Sequence, residues 1–146
     1  MENPVSKKNQ SEIHINFTSS PQSTDPRKNT DPFSSTLNFM LYEGLTHLEE
    51  NGEITLAIAE KVEISEDKTT YLFHLRNSFW SDGNPVTAYD FERSWKTALS
   101  PNFPSKSAEL LFPIKNAEEI KKGTREVDSL GVKALNEKTL EVTLVS

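Results

Sequence analysis

Two runs of alternating residues restrict what this chain can become. Tyr71, Phe73 and Leu75 alternate with Thr70, Leu72 and His74, and Leu140, Val142 and Leu144 alternate with Thr139, Glu141 and Thr143. Period two is the spacing of a strand with one buried face. A polar turn precedes each run, Ser65-Glu66-Asp67-Lys68 in the first case and Asn136-Glu137-Lys138 in the second. Ahead of those turns lie further apolar positions, Val62 and Ile64, then Val132 and Ala134. Each set reads as a hairpin. Between the hairpins the spacing changes to that of a helix, with Phe91, Trp95, Ala98 and Leu99 on one face. Hairpins mixed with helices predict an α+β chain rather than a regular βαβ series.

The remaining segments fit around this frame. Ile13, Ile15 and Phe17 alternate with Glu12, His14 and Asn16 and predict a first strand. Asp31-Pro32 predicts a helix start, because Asp accepts from free N–H groups and Pro suits the first helical position. Phe33, Leu37, Met40 and Leu41 share one face of that helix, with Gly44 as its expected stop. Asn51-Gly52 marks a turn among short strands, and Ser81-Asp82-Gly83-Asn84-Pro85 marks a loop. Thr87 with Asp90 resembles a capping box at the head of the Phe91 helix, which Pro101 and Pro104 end. A short helix is expected around Ser107 to Phe112. Another starts near Asn116, with Glu118 and Glu119 first and Lys121 and Lys122 last, the charge order that suits its dipole.

Composition narrows the chemistry. The 146 residues carry a net charge of −6 and no basic stretch, so nucleic acid and anionic membrane surfaces are poor partners. There is no cysteine, which excludes disulfides, thiolate metal sites and thiol catalysis. No apolar run reaches the length of a membrane-spanning helix. Met1 to Gln10 is polar, with Lys7 and Lys8, so residues 1–11 are expected to be disordered and to contain no signal peptide.

No catalytic pattern stands out. Gly-x-Ser-x-Gly, Gly-x-Gly-x-x-Gly and the phosphate-loop motif are all missing. His14, His47 and His74 are not spaced as metal ligands, so no metal and no cofactor are expected. Glu49, Glu50 and Glu53 read as a solvated turn, and Phe79-Trp80 as core packing.

Three ordered stretches carry a family likeness. They are Ala59-Glu60-Lys61-Val62-Glu63-Ile64, Thr70-Tyr71-Leu72-Phe73-His74-Leu75-Arg76, and Phe79-Trp80-Ser81-Asp82-Gly83-Asn84-Pro85-Val86-Thr87-Ala88-Tyr89-Asp90-Phe91. Together they resemble the signature of the peptide- and nickel-binding receptors of ABC transporters, solute-binding family 5. Thr24-Asp25-Pro26 and Tyr42-Glu43-Gly44-Leu45 match two further family motifs. Leu130 to Leu135 and Thr139 to Leu144 look like the oligopeptide-binding branch.

The resemblance implies a partial periplasmic-binding-protein fold of type II-like architecture, in a receptor several times longer. Residues 12–44 would then be the first strand and helix of lobe I, and 45–146 most of a small extra domain, truncated at its C-terminal end. The 146 residues are therefore expected to be an N-terminal portion, binding peptide weakly or not at all alone. Trp80 would fill the core edge, Asp82-Gly83 make the turn, and Thr87 cap the following helix. The loop Lys28-Asn29-Thr30-Asp31 would lie near the ligand cleft, which makes Asn29, Thr30 and Asp31 the candidate ligand-binding residues. In oligopeptide binders a Glu often stands where Thr30 is, and here Asp31 is adjacent. The implied ligand is an oligopeptide, the implied partners are ABC permease subunits, and no enzyme activity is expected. The implied protein is a monomer in the periplasm or on the outer face of the cytoplasmic membrane. A stand-alone protein-interaction module and a nickel or haem receptor are the alternatives.

Overall fold

A computed structural model describes residues 14–29 and 31–146. Asp31 and Pro32 open α1 (Pro32–Leu41) as expected, the Asp31 side chain accepting from the Ser34 N–H. The helix ends at Tyr42, whose backbone is extended (φ −127°, ψ 148°), ahead of Gly44. Strands β1 (Thr46–Leu48) and β2 (Ile54–Leu56) form an exposed hairpin whose turn holds Gly52 at φ 83°. Then come β3 (Ala59–Ile64) and β4 (Thr70–Leu75), α2 (Ala88–Leu99), a 3₁₀ turn over Ala108–Leu111, α3 (Ala117–Lys121), β5 (Val132–Asn136) and β6 (Thr139–Thr143).

Both predicted hairpins are present, and they join into one antiparallel sheet of order β3-β4-β6-β5. Phe73 stands opposite Val62 on one side and Leu140 on the other, while Tyr71 faces Ile64 and Val142. These residues share one sheet face, which α2 covers over β5 and β6 while Ile64 in the edge strand β3 stays 52% exposed. Leu140 is fully buried there, with Leu99 from α2 and Ile120 from α3, and Phe91 and Trp95 pack against them. The opposite face is polar: Glu63 meets Lys61 at 2.7 Å and His74 at 3.0 Å.

Before α2 the chain makes a small tight turn. The Gly83 N–H donates to Trp80 O at 2.9 Å, and Gly83 has φ 88°. The Asp90 carboxylate reaches back to the Thr87 N–H at 2.9 Å and its hydroxyl at 3.0 Å, the far half of the expected capping box.

Four expectations need correction or limits. Phe79 and Trp80 do not pack in the core: they are 68% and 41% exposed, because the turn bridging Phe79 to Pro85 holds both at the surface. The apolar face of α1 is buried only in part: Phe33 and Leu37 are half-buried, Met40 and Leu41 are each 56% exposed, and the buried positions are Ser34 and Asn38. Gly44 does not end α1. The strand expected over Ile13–Phe17 falls partly outside the described residues, and His14–Phe17 belongs to no strand. Alternation prepares a segment to pair but supplies no neighbour to pair with. Phe17 instead meets Phe33 edge-on, with ring centroids 6.2 Å apart.

Candidate functional site

The segment ahead of α1 is built from polar side chains that bond to one another. Asp25 accepts from the Arg27 N–H at 3.0 Å, and from Nε and Nη2 at 2.9 Å each. The paired guanidinium holds the Asp25 carboxyl below its ordinary range, and the Asp25 carboxylate in turn raises Arg27 above its own. The same residue caps a 3₁₀ turn, Pro26–Lys28, that delivers the chain to Asn29.

Asp31 is the second anchor. Its carboxylate accepts from the Ser34 N–H at 2.9 Å and the Ser34 hydroxyl at 2.6 Å. Those bonds, the hydroxyl first, hold the carboxyl below the usual carboxylate range. Ser34 is completely buried because its Oγ also accepts the backbone N–H groups of Gln22, at 2.9 Å, and Ser23, at 3.1 Å. One hydroxyl thus fastens the incoming loop to the first turn of the helix, which explains why a polar face of α1 lies inward.

Asn29 completes the network. Its Nδ2 donates to Ser35 Oγ at 3.2 Å, and its Oδ1 accepts from Asn38 Nδ2 at 3.0 Å. Asn38 is 5% exposed, and its Oδ1 has no hydrogen-bond partner among the described residues. Of the expected ligand residues, Asn29 and Asp31 are therefore brought into one network, while Thr30 lies outside the described residues. Ser34, Ser35 and Asn38 were not singled out from sequence. Their signal was present: small polar residues spaced i and i+4 along α1, directly after Asp31-Pro32.

This arrangement offers hydrogen-bond donors and acceptors, and the Ser34 hydroxyl beside the Asp31 carboxylate is completely buried. Among the described residues no group of three or more His, Cys, Asp or Glu side chains is gathered for a metal. Two open hollows lie elsewhere. One of about 660 Å³ runs along α2 beside Tyr89, Arg93 and Lys96, and one of about 650 Å³ sits at the Glu49–Glu53 turn. No described helix is long and apolar enough to cross a membrane.

Comparison with known proteins gives a consistent picture. The family model described as "Bacterial extracellular solute-binding proteins, family 5 Middle" matches residues 53–146. The oligopeptide-binding protein OppA of Bacillus subtilis (strain 168) is 41% identical over 138 residues, which is 94% of this chain and 25% of that protein. The probable deoxycholate-binding periplasmic protein YgiS of Escherichia coli (strain K12) is 40% identical over 135 residues, 90% of this chain and 25% of that one. The structure of Listeria monocytogenes OppA bound to peptide superposes with a TM-score of 0.81 at 39% identity, over 85% of this chain and 25% of that chain. The chain thus spans about a quarter of the length of these relatives.

Proposed function

The chain belongs to the bacterial extracellular solute-binding proteins of family 5, and on that premise we propose that it serves an oligopeptide receptor of an ABC importer, outside the cytoplasmic membrane. The observation that carries this is its match to a peptide-bound OppA at 39% identity and a TM-score of 0.81. In this reading residues 12–44 open the first lobe and residues 45–146 form a smaller domain beside it. The loop 28–31 faces the peptide, with Asn29, Thr30 and Asp31 as the contact residues and permease subunits as the downstream partner.

The polar network ahead of α1 suits that task. Peptide backbones are recognised by fixed donors and acceptors, and side chains already tied to one another lose little entropy on binding. Affinity also requires enclosure, because a ligand left half in water keeps its hydration. Neither described hollow is lined by Lys28, Asn29 or Asp31. The 146-residue chain alone is therefore expected to hold peptide weakly.

A second reading takes its support from the 40% identical relative named as deoxycholate-binding. It places a steroid acid where the first places a peptide. One calorimetric experiment separates them. Residues 14–146 replace the matching quarter of Bacillus subtilis OppA, and the hybrid is titrated with a mixture of short peptides and with deoxycholate. Saturable heat with peptides alone is the expected result. Heat with deoxycholate alone favours the second reading, and a folded hybrid that takes neither contradicts both.

A further inference from the structure

Two cations from the start of the chain rest on one aromatic ring from the far side of the sequence. Arg27 Cζ and Lys28 Nζ each lie 5.3 Å from the centroid of the Phe103 ring. The face of an aromatic ring is electron-rich and attracts cations at this range. Both sides of the contact are held by other bonds. The Arg27 guanidinium is gripped by two bonds from Asp25 at 2.9 Å, so it approaches the ring in one orientation.

Phe103 is presented from a stiff loop. Pro101 and Pro104 flank it and restrict the backbone on either side. Its N–H donates to Ser100 O at 3.1 Å, and its carbonyl accepts from Lys121 Nζ at 2.7 Å and from the Ser105 N–H at 2.8 Å. The ring is thereby fixed to the ends of α2 and α3. The two residues resting on it lead directly into Asn29, Thr30 and Asp31.

We propose that Phe103 is a positioning residue for the segment from Arg27 to Asn29, setting where it stands relative to the α2–α3 body through its contact with Arg27 and Lys28. The proposal rests on the reading that the 28–31 loop faces a peptide. It makes the segment's position a property of the ring's π face, not only of its bulk. Leucine would fill similar space but offers no such face, whereas tryptophan restores it.

The test is nuclear magnetic resonance of the 146-residue chain as wild type, Phe103→Leu and Phe103→Trp. In the wild type the Lys28 ε-methylene protons are expected upfield, shifted by the ring current, and Phe103→Leu abolishes that shift. Exchange of the Lys28 amide, bonded to Asp25 O at 3.0 Å, should speed up about tenfold in Phe103→Leu and return to within about twofold in Phe103→Trp. Amides in β4 and β6 serve as the control for general loosening. An unchanged Lys28 amide in Phe103→Leu overturns the proposal, as does a Phe103→Trp protein that exchanges as fast as Phe103→Leu. If Phe103→Leu unfolds, Lys28→Met decides: this change at an exposed side chain should speed the same amide about threefold, and no change overturns the proposal. Failure of the OppA hybrid to bind peptide would count against the peptide reading and leave these amide results in force.

Discussion

The Lys121 ammonium lies 2.7 Å from the carbonyl oxygen of Phe103 and 3.1 Å from those of Ala98 and Ser100. The last carbonyls of a helix have no partner within it, and they carry the negative end of its dipole. Lys121 fills that need for α2 while standing in the last turn of α3. One side chain therefore closes α2, fixes the loop that follows and joins two helices.

Lys121→Met keeps the stem and removes the ammonium, taking one donor from each of three carbonyls, of which Ser100 O keeps the Phe103 N–H and Phe103 O keeps the Ser105 N–H. A hydrogen bond to a charged group contributes about 1.5–3 kcal/mol. Allowing for water reaching part of the site, the variant should lose about 2 kcal/mol. Urea unfolding followed by circular dichroism measures this, and a midpoint equal to that of the wild type would show that the cage contributes nothing.

Gly131 sits where no side chain fits. A Cβ there would come within 2.6 Å of Thr143 O and 2.8 Å of Lys115 Cβ. The surroundings cannot yield easily, because the Gly131 N–H donates to Lys115 O at 2.9 Å and its carbonyl accepts the Thr143 N–H at 2.7 Å. Gly131→Ala should cost about 1–3 kcal/mol through overpacking. The same urea experiment reads it as a lowered midpoint, and an unchanged midpoint would contradict the clash.

The pH response of the loop follows from Asp31. Its carboxyl titrates below the ordinary value of 3.8, mainly through the Ser34 hydroxyl and N–H bonds. A folded-state value below the unfolded one gives stabilisation that is complete above the unfolded value and lost as pH falls through the folded one. The Ser34 amide resonance should therefore stay fixed from pH 7 to about 5 and move only below the ordinary carboxylate range. Asp31→Asn should remove that movement. A Ser34 titration centred above 3.8 would contradict the geometry.

Much of this fold is legible in local pattern. Tyr71, Phe73 and Leu75 announce β4, Leu140 and Val142 announce β6, and Thr87 with Asp90 marks the start of α2. The pairing of β4 with β6 is not local, since it joins His74 to Thr139 across intervening helices, and alternation does not name a partner. Periodicity also misled where burial is polar. It assigns Met40 and Leu41 to the inner face of α1, yet Ser34 and Asn38 turn inward because Gln22, Ser23 and Asn29 bond to them. Phe79 and Trp80 failed for a related reason: hydrophobicity suggests burial, but the turn at Gly83 sets direction. At the candidate site the resemblance offered Asn29, Thr30 and Asp31, while Ser34, Ser35 and Asn38, present in the sequence as small polar residues along α1, are assigned to it by their bonds.

The most direct test of the central claim places Asn29→Ala in the hybrid of this chain with Bacillus subtilis OppA and measures peptide affinity by calorimetry, with a thermal melt alongside. If the loop faces the peptide, affinity falls about tenfold, the loss of one to two hydrogen bonds in a closed site, while the melting temperature stays within a few degrees. Unchanged affinity in a folded hybrid that binds peptide would contradict the placement of the ligand at residues 28–31.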